Sequence, residues 1–228
     1  MKKTIKFAFQ QTIPIMLGYL FLGTAFGLVL QEAGYSFIWA LVASTFIYAG
    51  SMQFVLVSLL TGGVNLIYCA IMTLFINGRH IFYGLSFIDK FKKMGKTYPY
   101  MIFSLTDETY SVLCSLKVPE GIDEKRAMFL ISLFDQCYWI LGSLIGALVG
   151  KYIAFNSKGV DFAMTALFVV IFIEQWKSAK DHMPAIFGLL SAIIFLIILG
   201  PEHFILPSLL FSVFLLIIFK KKIIKEVS

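Results

Sequence analysis

The chain has 228 residues, of which 59% are hydrophobic, 16% aromatic and only 14% charged, with a formal net charge of +6. Its mean hydropathy is +0.88. Soluble domains carry about 25% charge and 45–50% apolar residues, so this balance excludes a soluble enzyme, a disordered chain and a nucleic-acid binder. It points to an all-α polytopic integral membrane protein.

Crossing a bilayer takes about 20 apolar residues in a helix. Eight segments approach this: 12–30, 37–60, 64–88, 100–116, 127–150, 162–176, 184–199 and 203–219. The connections are short and no linker interrupts them, so residues 1–228 read as a single transmembrane domain. The first segment follows Lys2, Lys3 and Lys6. Its long apolar run, with no small-residue cleavage site, reads as a retained span rather than a signal peptide.

Lysines cluster at residues 2–6, at Lys90/Lys92/Lys93/Lys96, and at Lys220/Lys221/Lys222/Lys225. The positive-inside rule places all three clusters in the cytoplasm. Eight plain crossings would put loop 89–99 outside. The conflict disappears if segment 37–60 breaks near Tyr48–Gln53 and returns to its own face, and if 162–176 does the same. Non-helical backbone at depth is tolerated where protein or water surrounds it. Segments one to four and five to eight then form two inverted repeats, each with a broken or re-entrant second segment. Such repeats are a common plan of secondary transporters. Phe46-Ile47 and Gln53-Phe54 echo Phe168-Val169 and Gln175-Trp176 at the same spacing.

Ionisable groups at membrane depth are costly and mark function. Asn77-Gly78-Arg79-His80 lies past the middle of segment 64–88. Arg79 carries a planar fork that suits a carboxylate; the alternative is an ion pair that holds two helices together. Asp107 and Glu108 fall at the centre of segment 100–116. Adjacent helical residues point about 100° apart, so one carboxylate can pair while the other carries an amine or a proton. Asp135 lies about eight residues, or about 12 Å, inside segment 127–150. Glu174, near the end of 162–176, reads as an interface residue. Gly23-x-x-x-Gly27 and Gly142-x-x-x-Gly146-x-x-x-Gly150 permit close helix approach.

Cys69, Cys114 and Cys137 lie in apolar segments with no disulfide or ligand spacing, and the three histidines are scattered, so no metal is expected. No phosphate-binding loop, zinc-protease motif or nucleophile elbow occurs. The chain therefore reads as a protein without enzymatic activity or cofactor.

The stretches Tyr48–Phe54, Asn77–Ser86 and Thr106–Tyr110, together with Asp161–Phe172, resemble the motifs of the AzlC family along nearly the whole chain. The resemblance implies the large subunit of a branched-chain amino-acid exporter in the cytoplasmic membrane. Its substrates would be leucine, isoleucine, valine and methionine. It implies drive by the proton gradient and a small AzlD-type membrane subunit as partner. A zwitterionic substrate calls for an anion site, a cation site and an apolar pocket. Gly50, Ser51, Gln53, Asn77, Arg79 and His80 are the candidate substrate-binding residues. The carboxylate would go to Arg79 or to the free N–H groups at Gly50-Ser51. Asp107, Glu108 and Asp135 are candidates for the amine or the coupling proton, and Phe54 and Tyr83 for the side-chain pocket. The alternatives are a transporter or channel for another small metabolite, and a structural membrane subunit.

Overall fold

The computed structural model describes residues 2–152, 169, 172–173, 176–177, 181–200 and 204–227; at Arg79, Phe82, Ile205, Leu206 and 220–227 it describes the backbone. All regular structure among these residues is helical. The chain divides into two units, Met1–Met164 and Thr165–Ser228.

In the first unit, α1 (Lys2–Glu32) and α8 (Glu124–Tyr152) are the two long helices. At 1.5 Å per residue, 31 and 29 residues reach beyond the roughly 30 Å of a hydrocarbon core. Among the described residues these two are long and apolar enough to cross a membrane. α1 starts ten residues before the first apolar segment, because Lys2 to Gln11 continue the helix. Pro14 therefore lies inside the helix.

α1 and α8 approach closely because glycines line the crossing. A Cβ on Gly23 would lie 2.9 Å from the carbonyl of Trp139, and one on Gly142 would lie 2.8 Å from that of Tyr19. At Gly27 and Gly146 it would meet the backbone of Ser143 and Thr24 inside any permissible contact. The two small-residue motifs thus face each other within one chain. Association of helices in lipid rests on this kind of packing, since lipid tails are as apolar as leucine.

Between the long helices the chain is cut into short pieces. Segment 37–60 is α2 (Phe37–Phe46) and α3 (Gly50–Thr61), separated where a break is expected. Tyr48 there takes a positive φ of 42°, a conformation costly for a bulky residue and held only by its surroundings. Segment 64–88 is α4 (Leu66–Asn77) and α5 (Arg79–Lys92), meeting at Gly78. Asn65 caps α4 by accepting from the Tyr68 N–H at 2.8 Å. Segment 100–116 is also divided, into α6 (Tyr98–Phe103) and α7 (Asp107–Ser115), a break the hydropathy pattern does not announce. Thr106 caps α7, its hydroxyl accepting from the Thr109 N–H at 3.3 Å. Asp107 and Glu108 consequently occupy a helix start instead of a helix centre. Phe87, Phe91, Met101, Leu105, Met128 and Ile131 form the buried apolar cluster beneath these pieces.

In the second unit, α9 (Met183–Leu199) and α10 (Ile205–Val227) pack through Phe187 on Phe219 and Phe195 on Phe211, with ring centroids 5.3 and 5.6 Å apart. Pro184 opens α9, where a missing N–H costs nothing. Most of segment 162–176, with Glu174 and the Phe168 and Gln175 positions of the repeat echo, lies outside the described residues.

Large apolar side chains point outward on both units: Phe21 is 75% exposed and Ile197 78%. In water such surface would drive aggregation; in lipid it is the matching solvent.

The glycine seam gives a test. Gly146→Ala forces a side chain into the backbone of Thr24 and should lower stability by about 1–3 kcal/mol. Gly18→Ala, whose added Cβ meets nothing within 4 Å, should leave it unchanged or raise it. Thermal unfolding in detergent compares the two, and equal melting temperatures would contradict the seam.

A buried polar site at two helix breaks

Two of the interruptions of the first unit, between α2 and α3 and between α6 and α7, are held against one stretch of α8. Asp135, Gln136 and Trp139 share adjoining faces of that helix, at spacings of one and three residues. Gln136 donates through Nε2 to the carbonyl of Thr45 at 3.1 Å, near the end of α2. Its Oε1 accepts from the Tyr100 hydroxyl of α6 at 2.7 Å. One amide therefore ties a carbonyl beside the first break to the helix before the second. Trp139 donates through Nε1 to Gln53 Oε1 at 2.7 Å, and its indole lies against Gly50, where a Cβ would come within 3.1 Å of the ring. Glycine at position 50 lets the start of α3 rest on that ring.

Asp135 is fully buried. Its Oδ2 accepts from the Thr109 hydroxyl at 2.8 Å. Thr109 Oγ1 lies 3.1 Å from Thr106 Oγ1. Thr106 Oγ1 is 2.7 Å from the Tyr19 hydroxyl, and Tyr19 donates to Glu108 Oε2 at 2.7 Å. A continuous line of oxygen contacts joins Asp135 on α8 to Glu108 on α7 through α1. Glu108 is exposed as a residue while Asp135 is fully buried, so the line runs from the interior of the unit to its edge. The Tyr19 ring packs edge-on against Trp139 and Tyr48, with centroids 5.3 and 6.5 Å away.

Several polar atoms around this line are buried without a hydrogen-bonding partner: Gln53 Nε2, Ser132 Oγ and Asp135 Oδ1. A buried polar atom left unmet costs about 1–3 kcal/mol. Such atoms are unused binding capacity, suited to a polar ligand or to water.

Of the sequence candidates, Gly50, Gln53, Glu108 and Asp135 come together around Tyr19 and Trp139. Ser51 lies in the first turn of α3 and Asp107 in that of α7. Asn77 and His80 flank the α4–α5 junction, with His80 Nδ1 3.0 Å from the Asn77 carbonyl. They reach α7 indirectly: the His80 ring meets Tyr83 edge-on at 5.7 Å, and Tyr83 stacks on Tyr110 at 4.4 Å. Arg79 opens α5, and its side chain lies outside those described. Sequence reasoning passes over Tyr19, Thr109 and Trp139, and marks Thr106 and Gln136 only as polar neighbours of the candidate carboxylates. Thr106 carries a signal, since threonine followed by two acidic residues is a helix-start pattern. Tyr19 carries none, being one aromatic among many.

Comparison with known proteins agrees with this architecture. Residues 14–153, which contain both breaks and α8, match the family model described as AzlC protein. The "Branched-chain amino acid transport protein AzlC" of Bacillus subtilis is 42% identical over 97% of this chain and 87% of its own length. An "Uncharacterized membrane protein" of Helicobacter pylori is 42% identical over 97% of each chain. The "Inner membrane protein YgaZ" of Escherichia coli is 26% identical over 75% of this chain and 73% of its own. No solved structure matches. Motifs, helical architecture and family match converge: the chain is a membrane protein of the AzlC family.

Proposed function

We propose that this protein is a non-enzymatic secondary transporter that exports branched-chain amino acids across the cytoplasmic membrane. In this reading residues 1–228 form one multi-pass transport domain that works with a small AzlD-type membrane subunit and is driven by protons. The observation that carries the reading is the buried Asp135, hydrogen-bonded to Thr109 and placed where two broken helices meet α8. A scaffold has no use for an interior carboxylate, which weakens a bundle unless function requires it.

The chemistry of the substrate fits the groups available. The helix start at Gly50-Ser51 offers N–H groups and the positive end of a helix dipole to the carboxylate. Arg79 is the second candidate for that role. The substrate amine or the coupling proton goes to Asp135 and Glu108, with Asp107 beside them. Gln53, Asn77 and His80 supply further polar contacts, and the rings of Phe54 and Tyr83 border the apolar side chain. In this scheme the break in 37–60 is re-entrant, which leaves the lysine-rich loop 89–99 inside. Alternating access then amounts to motion of one inverted repeat against the other around the midplane site.

Counterflow of labelled leucine in proteoliposomes, with and without the small subunit, tests the assignment. Leucine-loaded vesicles should accumulate label only when the chain is present, and an inward proton gradient should raise the rate of leucine movement in the opposite direction. Absence of leucine counterflow with both subunits present would overturn the export assignment. Hydrogen bonds to charged groups are worth about 1.5–3 kcal/mol, or about 10- to 150-fold in affinity. Asp135→Asn should therefore weaken leucine affinity or abolish proton drive by at least about tenfold. Unchanged affinity and unchanged gradient response together would remove Asp135 from the site. Cysteine labelling in loop 89–99 should succeed only from the cytoplasmic side, and labelling from outside would contradict the re-entrant topology.

A further inference from the structure

The line from Asp135 to Glu108 needs more hydrogens than its hydroxyls carry. There are four oxygen–oxygen contacts: Asp135–Thr109 at 2.8 Å, Thr109–Thr106 at 3.1 Å, Thr106–Tyr19 at 2.7 Å and Tyr19–Glu108 at 2.7 Å. Each needs one hydrogen between its oxygens. The three hydroxyls supply three. With both carboxylates ionised, Thr109 donates to Asp135 and Tyr19 to Glu108. The one hydrogen left on Thr106 then fills one of the two inner contacts and leaves the other as two facing lone pairs. With both carboxyls protonated there are five hydrogens for four contacts. One carboxyl proton is the smallest number that fills every contact; with two, the fifth hydrogen has to point out of the line, as on Asp135 Oδ1.

We infer that Asp135 and Glu108 share a single proton through Thr109, Thr106 and Tyr19, which together form a hydroxyl relay between the interior carboxyl and the carboxyl at the edge of the unit. The relay has two fully bonded arrangements. In one, Asp135 holds the proton and every hydroxyl donates toward Glu108. In the other, Glu108 holds it and every hydroxyl donates toward Asp135. They interconvert when Asp135 gives its proton to Thr109, Thr109 to Thr106, Thr106 to Tyr19 and Tyr19 to Glu108. Four protons move, every hydroxyl ends neutral, and the net result is one proton carried from interior to edge.

Two further contacts touch the line: Tyr48 lies beside Tyr19, and Thr106 lies beside Glu108 as well as Tyr19. The Thr109 N–H also reaches Thr106 Oγ1 at 3.3 Å, using a lone pair that the relay does not need. Other ionisable groups near the two ends are Tyr48, Tyr100 and Tyr138 around Asp135, and Asp107 beside Glu108. Among them Tyr100 donates to Gln136 and Tyr138 lies 3.1 Å from Thr12 Oγ1. Gln53, fully buried nearby, is engaged by Trp139. The roles of Thr109, Thr106 and Tyr19 rest on the proposed proton coupling only for their purpose; the shared proton itself does not require transport.

Infrared difference spectroscopy of the full chain in lipid nanodiscs reads protonated carboxyls directly. At neutral pH, Asp135→Asn alone and Glu108→Gln alone should each remove the whole protonated-carboxyl band of the pair, because an amide N–H supplies the missing fourth hydrogen. Thr109→Val cuts the line, so Glu108→Gln in that background should retain the band on Asp135. Thr109→Ser, which keeps the hydroxyl, should restore its loss. The relay is overturned if no such band exists in the unmodified chain, if each amide variant removes only part of it, or if Thr109→Val and Thr109→Ser behave alike. Proton uptake with leucine in proteoliposomes is read separately. A leucine flux without protons, alongside the expected infrared pattern, would sink the coupling mechanism and leave the shared proton standing.

Discussion

The close crossing of α1 and α8 sets the position of the site. Four glycines bring the two backbones together, and the carbonyl of Tyr19 rests against Gly142. That contact fixes where the Tyr19 side chain emerges. From there its hydroxyl reaches both Thr106 and Glu108, while its ring packs on Trp139. A larger residue in the seam would shift α1 outward. Contacts between 2.7 and 3.1 Å along the hydroxyl line have little tolerance for such a shift. Packing in the seam and chemistry at the site are therefore one problem, solved by the absence of side chains at four positions.

The second constraint is the cost of interrupted helices away from water. Each break frees N–H and C=O groups that need partners at membrane depth. α8 meets part of this demand with side chains. Gln136 serves the Thr45 carbonyl near the end of α2 and the Tyr100 hydroxyl of α6. Thr106 caps α7 from within the second break. The side chains that stabilise the breaks are neighbours of those that hold Asp135.

The sequence reveals the first break through charge rather than through hydropathy. Lys90, Lys92, Lys93 and Lys96 fall on the wrong side of eight simple crossings, and a break between α2 and α3 is where the structure has one. The second break, at Ser104 to Thr106, is invisible to both signals, since Leu105 keeps the run apolar and no charge changes side. Only the capping pattern of Thr106 marks it. Asp135 and Glu108 are legible because ionisable groups in apolar sequence are conspicuous. Tyr19, Thr109 and Trp139 are not, because hydroxyls and indoles are ordinary in helices of this kind and their partners are 26 to 89 residues away. Long-range pairing is supplied by the fold alone.

We propose that substrate and proton meet at Asp135 and Glu108. Carbodiimide labelling followed by mass spectrometry tests it most directly, because the reagent enters apolar sites and modifies protonated carboxyls. Modification is expected at Asp135 or Glu108, slowed by excess leucine. Modification confined to other carboxyls, or labelling of these two at a rate that leucine leaves unchanged, would contradict it.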